Sequence, residues 1–314
     1  SVLIINNKKF RVEIFYKSLM LSILLINFDI FIQYLFGYNF LGFEPVATSQ
    51  SSYRYSGFFG EEYIAGGYIQ RFLLILAIII LSDINKFYKK YYTEILILFS
   101  MIIILITGDR MALIAIFYSI FFIFIFFKNS RKHVLMIFVI FLSSAGLMMI
   151  NDKGIHERLK SIQLQISAKK EGVYYNPHLN LIKQAIQVYK NNVIFGSGLK
   201  TFREVCSNNE NIVIFEKKNL NKNFCSTHPH NYYFEILSET GTFGFVSFIT
   251  YLLYILYKSA FTKKYKINNK LTFICICVFM FPISTTGSFF TNLNASFFWF
   301  IMSLININFH NEKK

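Results

Sequence analysis

Ser226-Thr227-His228-Pro229-His230-Asn231-Tyr232-Tyr233-Phe234-Glu235-Ile236-Leu237-Ser238-Glu239-Thr240-Gly241-Thr242-Phe243-Gly244 closes the longest polar segment of the chain and leads into an apolar run. It puts two imidazoles and an amide at the start of a helix, two carboxylates one turn apart, and two glycines where the helix becomes apolar. A lone histidine at such a border is usually an interfacial residue. This stretch is denser in groups that bind charge and move protons.

Working outward, the rest of the chain is far too apolar for a soluble domain. Of 314 residues, 54% are hydrophobic and 19% aromatic, and the mean hydropathy is +0.44, well outside the usual range of globular chains. Several runs approach the ~20 apolar residues that cross a bilayer. We read eight spans, near 17–36, 68–81, 91–107, 111–127, 134–150, 244–257, 271–284 and 293–309. The fold class is therefore all-α, a polytopic transmembrane helix bundle with a large helical outer loop. Residues 1–150 hold the first five spans and an outer loop at 37–67. Residues 151–230 form the large loop domain, and 231–314 hold the last three spans. The first residue is Ser1 rather than Met, and the expectation is that upstream helices are missing.

The net charge of +15 does not point to nucleic acid. More than half of the 32 Lys and Arg fall in short segments that share one side when eight spans alternate. Lys8, Lys9, Arg11 and Lys17 precede the first span. Lys86, Lys89 and Lys90, then Lys128, Arg131 and Lys132, then the cluster from Lys258 to Lys270 follow, and Lys313 and Lys314 end the chain. The short opposite loops carry only Arg54 and the border residue Arg110. The positive-inside rule makes the basic side cytoplasmic. Arg54, Arg110, Arg158, His228 and His230 are then expected outside, which in a bacterium is the periplasmic face of the inner membrane.

Several outer segments stand out. The loop 37–67 contains Tyr53-Arg54-Tyr55-Ser56-Gly57 and is too long for a tight turn; loops of this length are either functional or simple aromatic anchors at the interface. Thr107-Gly108-Asp109-Arg110 opens the fourth span, and a charge at that depth marks a site unless it only snorkels to the surface. Asp29 and Arg71, inside spans, suggest partners within the bundle. In the large loop, Asn176-Pro177 is a helix start. Leu179, Ile182, Ile186 and Tyr189 follow at 3-4-3 spacing, predicting an amphipathic helix of about three turns. Phe195-Gly196-Ser197-Gly198 is a turn. Cys206 and Cys225 flank a polar stretch outside the cytoplasm and are expected to form a disulfide; Cys275 and Cys277 lie in an apolar run and read as packing.

Outer arginines with a histidine suit an anionic substrate. A guanidinium binds phosphate oxygens as a fork and keeps its charge. A departing pyrophosphate needs its developing charge held. Histidine titrates near neutrality and can take the proton of an attacking hydroxyl. Free amides at the start of the His230 helix can also hold a phosphate. Glu235 and Glu239 share one helical face, where they either position His230 or a sugar hydroxyl, or serve as solvated or buried hydrogen-bonding groups. No metal set is convincing: His228-Pro229-His230 is short and rigid, and no Asp-rich pair appears.

These residues resemble the O-antigen ligase and O-antigen polymerase superfamily. The ligase-type signature is His, then Asn, Ser or Gln, nine residues, Gly, two residues, and Gly, Thr or Tyr. Here it reads His230-Asn231, the nine residues 232–240, Gly241, two residues and Gly244. Thr107-Gly108-Asp109-Arg110 is similar to the family's arginine at the outer start of a span. Arg158-Leu159, upstream of Gly196-Ser197-Gly198, looks like its second arginine and the following glycine turn, and Arg54 before Ser56-Gly57 looks like a family loop. The resemblance covers about 29–300, with fewer spans than the family has.

The resemblance implies transfer of a glycan from undecaprenyl pyrophosphate to a hydroxyl, without cofactor, nucleotide or metal. Arg110, Arg158 and Arg54 would hold the donor pyrophosphate, and His230 would deprotonate or orient the acceptor. His228, Asn231, Glu235 and Glu239 would support it. The acceptor is a sugar of lipid A–core in the ligase reading, another lipid-linked repeat unit in the polymerase reading, and a protein hydroxyl in a third; the His-Asn pair favours the ligase. Besides donor and acceptor, the only partners implied are membrane lipids. A transporter would explain the spans but tends to keep ionisable residues near the midplane in broken helices; Asp29, Arg71 and Gly287 are the only hints of that.

Overall fold

A computed structural model describes residues 12–49, 52–81, 90–157, 177–208, 225–261, 266–282 and 287–303. The protein is helical, with a helix at each of the eight predicted spans. In order these are α1 (Val12–Phe36), α2 (Ala65–Leu81), α3 (Lys90–Thr107), α4 (Arg110–Phe126) and α5 (Arg131–Asn151), then α6 (Pro177–Asn191) and α7 (Phe202–Asn208) in the large loop, and finally α8 (Tyr232–Phe261), α9 (Lys266–Phe279) and α10 (Asn292–Ser303). Among the described residues, three helices are long and apolar enough to cross a membrane: Ile14–Phe36 within α1, Arg131–Asn151, and Tyr232–Phe261. The other apolar helices are shorter. Helix α9 begins and ends earlier than the predicted seventh span, because the polar residues Lys266, Asn268 and Asn269 form its first turns rather than a loop.

The chain folds as two compact units, residues 1–168, 264–278 and 304–314, and residues 169–263 and 279–303. In the first, α1 to α5 bury an aliphatic core that includes Ile23, Ile69, Leu76, Ile103, Ile104 and Ile106. Phe273 packs edge-on against Phe122 and Phe126 of α4. Asn27 of α1 donates to Ser100 of α3 at 2.7 Å, a polar tie of the kind that sets helix register where nothing else can satisfy the groups.

The C-terminal end of α1 explains Asp29. Its carboxylate is fully buried and accepts from the Asn39 side chain and the Phe40 amide, each at 3.1 Å. Gln33, one turn on, accepts from the amides of Ser56 and Gly57 at 3.0 and 2.9 Å and donates to the Phe43 carbonyl at 3.0 Å. Two polar side chains of an apolar helix thus fasten the start and the middle of the 37–67 loop. Gly57 is required there: its φ is +56, and a Cβ would lie 2.6 Å from the Asp29 carboxylate. Within the loop, β1 (Val46–Ser49) and β2 (Ser52–Arg54) pair antiparallel. The sequence does not predict this hairpin, because four residues facing three leave almost no alternation to read.

In the second unit, α6 packs on α7. Leu181, Ala185 and Val188 of α6 are buried, with Phe202 and Cys206 of α7 completing the core. The amphipathic helix is present, but its buried face is rotated from the predicted one. Leu179 is exposed at 48%, while Leu181, Gln184, Ala185 and Val188 form the buried face. Aromatic rings fill the other core: Phe289 touches Tyr232, Phe248 and Phe298 with ring centroids 5.2–5.5 Å apart.

Candidate active site

The signature stretch forms a turn and a broken helix. Asn231 caps α8: its Oδ1 accepts from the amides of Tyr233 and Phe234 at 3.0 and 3.4 Å, and its Nδ2 donates to the Pro282 carbonyl at 2.7 Å. This satisfies two of the amides a helix start leaves open and anchors the turn to the 280–282 segment. Tyr233 adds a bond from its hydroxyl to the Met280 carbonyl at 2.6 Å.

One residue earlier, His230 has φ +57, a left-handed conformation that few non-glycine residues adopt and that tends to mark functional turns. The conformation brings three imidazoles together. The His228 and His230 ring centroids are 4.1 Å apart, and those of His178 and His230 are 5.6 Å apart, edge to face. His230 Nε2 lies 3.4 Å from Ser226 Oγ, and His228 Nδ1 lies 2.8 Å from Thr227 Oγ1. His178, on the first turn of α6, escaped the sequence reading; its one signal was its place directly after the Asn176-Pro177 helix start. His178 is exposed, and the protein packed beside it lowers its pKa from the usual 6.5. Among the described residues no group of three His, Cys, Asp or Glu is arranged to hold a metal.

The two carboxylates of α8 turn away to backbone amides. Glu235, 2% exposed, accepts from the Phe289 amide at 2.6 Å. Glu239, equally buried, accepts from the amides of Lys200 and Phe202 at 2.7 and 3.1 Å. Each carboxylate gathers a distant loop onto the helix that carries His230. Removing Glu235 would strand the buried Phe289 amide, and removing Glu239 the buried Phe202 amide, at ~1–3 kcal/mol each.

Gly241 breaks α8, with φ 65 and ψ −169, a region open essentially to glycine alone. The break frees carbonyls on one side and amides on the other, and residues 193–198 fill it. Ser197 and Gly198 donate to the carbonyls of Ser238 and Glu239 at 3.0 and 2.9 Å; Thr242 and Phe243 donate to the carbonyls of Val193 and Ile194 at 2.8 and 3.1 Å. Gly196 and Gly241 meet backbone to backbone, so a Cβ on either would come within 2.4 Å of the other segment. The glycine turn at 196–198 and the signature glycine are thus the two halves of one joint.

Cys206 and Cys225 form a disulfide with Cα atoms 5.9 Å apart. It joins α7, which Glu239 holds, to the residue just before Ser226. Closing a loop of this size typically stabilises by ~3 kcal/mol. In protein extracted without reductant, a thiol reagent should label neither Cys206 nor Cys225 and should label both after reduction; labelling before reduction would contradict the bond.

The arginines lie in the first unit. Arg54, at the end of β2, donates to the Gly108 carbonyl at 3.4 Å and stacks over Tyr63 with its guanidinium carbon 4.7 Å from the ring centroid. Arg110 begins α4, two residues past the Gly108 whose carbonyl Arg54 binds. Asp109 caps α4, accepting from Met111 and Ala112 at 3.1 Å. Gly66 lets the start of α2 close on this turn, since a Cβ there would lie 2.5 Å from the Asp109 Cβ. Arginines that border one turn suit a multivalent anion. Arg158 lies outside the described residues.

Fold and site together define a helical membrane protein with an imidazole group at one helix start and a guanidinium pair at another. Residues 95–249 match the family model described as O-antigen ligase. The matched segment takes in Arg110, His178, both bonded cysteines and the whole His230-to-Gly244 signature. This match, over just under half of the chain, supports the O-antigen ligase and polymerase superfamily of glycosyltransferase-like membrane enzymes. No curated protein matches the sequence.

Proposed function

We propose that this enzyme transfers a glycan from undecaprenyl pyrophosphate to a hydroxyl of lipid A–core, on the periplasmic face of the bacterial inner membrane. The observation that carries this reading is His230, held in a left-handed turn directly ahead of the Asn231 cap and inside the full ligase-type spacing. In the reaction, the acceptor oxygen bonds to the anomeric carbon as that carbon's bond to the pyrophosphate oxygen breaks. His230 takes the acceptor's proton. The lipid pyrophosphate leaves with the electron pair, its charge held by Arg110 and Arg54 with Arg158 as a further donor. His228 and Asn231 orient the base, while Glu235 and Glu239 hold the loops around it. Arginine forks and imidazole suffice for these steps, so the reading invokes no metal.

The test is a lipopolysaccharide gel from a strain lacking the gene. Loss of all O-chain with accumulation of lipid-linked polymer supports the ligase. Core bearing a single repeat unit means a polymerase, and unchanged lipopolysaccharide with an unglycosylated protein means a protein transferase. Complementation then probes the arginine. Arg110→Lys should restore little more than Arg110→Ala, because a point charge cannot replace a fork on a diphosphate. Restoration to wild-type level by Lys would reduce Arg110 to a charge anchor.

A further inference from the structure

The first unit holds a cavity of about 520 Å³ whose lining includes Tyr34, Tyr53, Tyr55, Asn151, Asp152 and Lys153. Its size falls within the ~300–1,000 Å³ of small-ligand clefts. Strand geometry creates it. Successive side chains of an extended segment leave on opposite faces. In Tyr53-Arg54-Tyr55 the arginine goes to Gly108 and Tyr63, and both tyrosines go to the cavity.

The lining is ordered. Tyr55 meets Tyr34 edge to face at 5.3 Å, and the Tyr34 hydroxyl donates to Asp152 Oδ2 at 2.7 Å. Asp152 Oδ1 accepts from the Ile155 amide at 3.0 Å. A carboxylate has about four acceptor positions, so Asp152 is fixed and still has capacity for a ligand. Asn151 sits exposed at the end of α5, its Nδ2 bonded only to the Leu147 carbonyl of its own helix, which leaves its amide oxygen as an acceptor. Tyr53 keeps 43% of its surface open, enough to present a ring face.

We propose that this cavity is a sugar subsite: one pyranose of the glycan lies with a C–H face on Tyr53 and gives hydroxyl protons to Asp152 and Asn151. A pyranose pairs an apolar face with a rim of donors, and the cavity pairs aromatic rings with acceptors. Lys153 in the same lining offsets the charge of Asp152, so the choice rests on donors: a phosphate is chiefly an acceptor and an acyl chain has no polar hydrogen, and neither would serve the acceptors of Asp152 and Asn151. The cavity and the Arg54 guanidinium lie on opposite faces of one strand. The sugar held here is therefore not the one joined to the pyrophosphate but another along the chain. The inference rests on the glycan-transfer reading.

The test uses the purified full chain in detergent micelles. The probe is the oligosaccharide released by mild acid from the source cell's own lipid-linked glycan, with binding followed by saturation-transfer NMR. Wild type and His230→Asn should bind it alike. Tyr53→Ala should weaken binding about tenfold through loss of the ring face, Asn151→Ala should weaken it measurably, and Tyr53→Phe, which keeps the ring, should bind within about threefold of wild type. No binding by wild type, or equal binding by wild type, Tyr53→Ala and Asn151→Ala, overturns the subsite; if His230→Asn has meanwhile lost transfer, the enzyme reading stands. Conversely, retained transfer by His230→Asn with binding lost in Tyr53→Ala removes the assigned catalytic role and leaves the cavity as a sugar site.

Discussion

His230→Asn should lower glycan transfer by about 10²–10⁴, the usual contribution of a positioned general base, while the protein accumulates and keeps its Cys206–Cys225 bond. Asparagine is chosen over alanine for a structural reason. The φ of +57 at His230 strains most side chains, whereas asparagine visits that region readily. The substitution removes the imidazole and spares the turn. His228→Asn should cost less, since His228 has its own partner in Thr227 and touches the acceptor only through His230. The measurement is transfer of lipid-linked glycan in isolated membranes, normalised to protein amount. Transfer by His230→Asn above a tenth of wild type would deny His230 the role of base.

Gly241→Ala should have the largest effect on the fold itself. Two costs coincide there. An alanine at φ 65 and ψ −169 is strained by ~1–3 kcal/mol, and its Cβ would sit 2.4 Å from the Ile194 carbonyl oxygen, a backbone atom held by its own hydrogen bonds. Either the 193–198 segment leaves the break or the helix closes over it, and in both cases four backbone hydrogen bonds are lost. Against a total stability of ~5–15 kcal/mol, that is a large fraction. The expected result is protein that accumulates poorly or accumulates without activity. Gly146→Ala is the control: it lies inside α5 with nothing within 4 Å of the added atom, and alanine suits a helix interior. Normal accumulation and transfer by Gly241→Ala would show that the joint is dispensable.

Much of this was legible in the chain because the signals were local. Helical spans announce themselves by continuous apolarity, and the His-Asn spacing with its two glycines sits within one short stretch. Cys206 and Cys225 could be paired by their position alone. What escaped depended on residues far apart in sequence. Gly241 could be counted in a signature, but its reason lies in Gly196. Glu235 and Glu239 looked like possible site groups, and only the positions of Phe289 and Phe202 show which donors they meet. Asp29 was an oddity in an apolar helix until the 37–67 loop was seen to hang from it. His178 carried no pattern at all, being one imidazole on a polar helix, and only the packing of α6 brings it to His230.

The joint at Gly241 also bears on biogenesis. Residues 193–198 are synthesised before 238–243, so the segment that repairs the interruption already exists when the interruption emerges from the ribosome. The nascent break can therefore be mended as it forms, and its carbonyls need not be left without donors at high cost. A chain delivered with the two segments on opposite sides of the membrane could not make this repair, so the same four bonds that shape the site would also act as a proofreading step for topology.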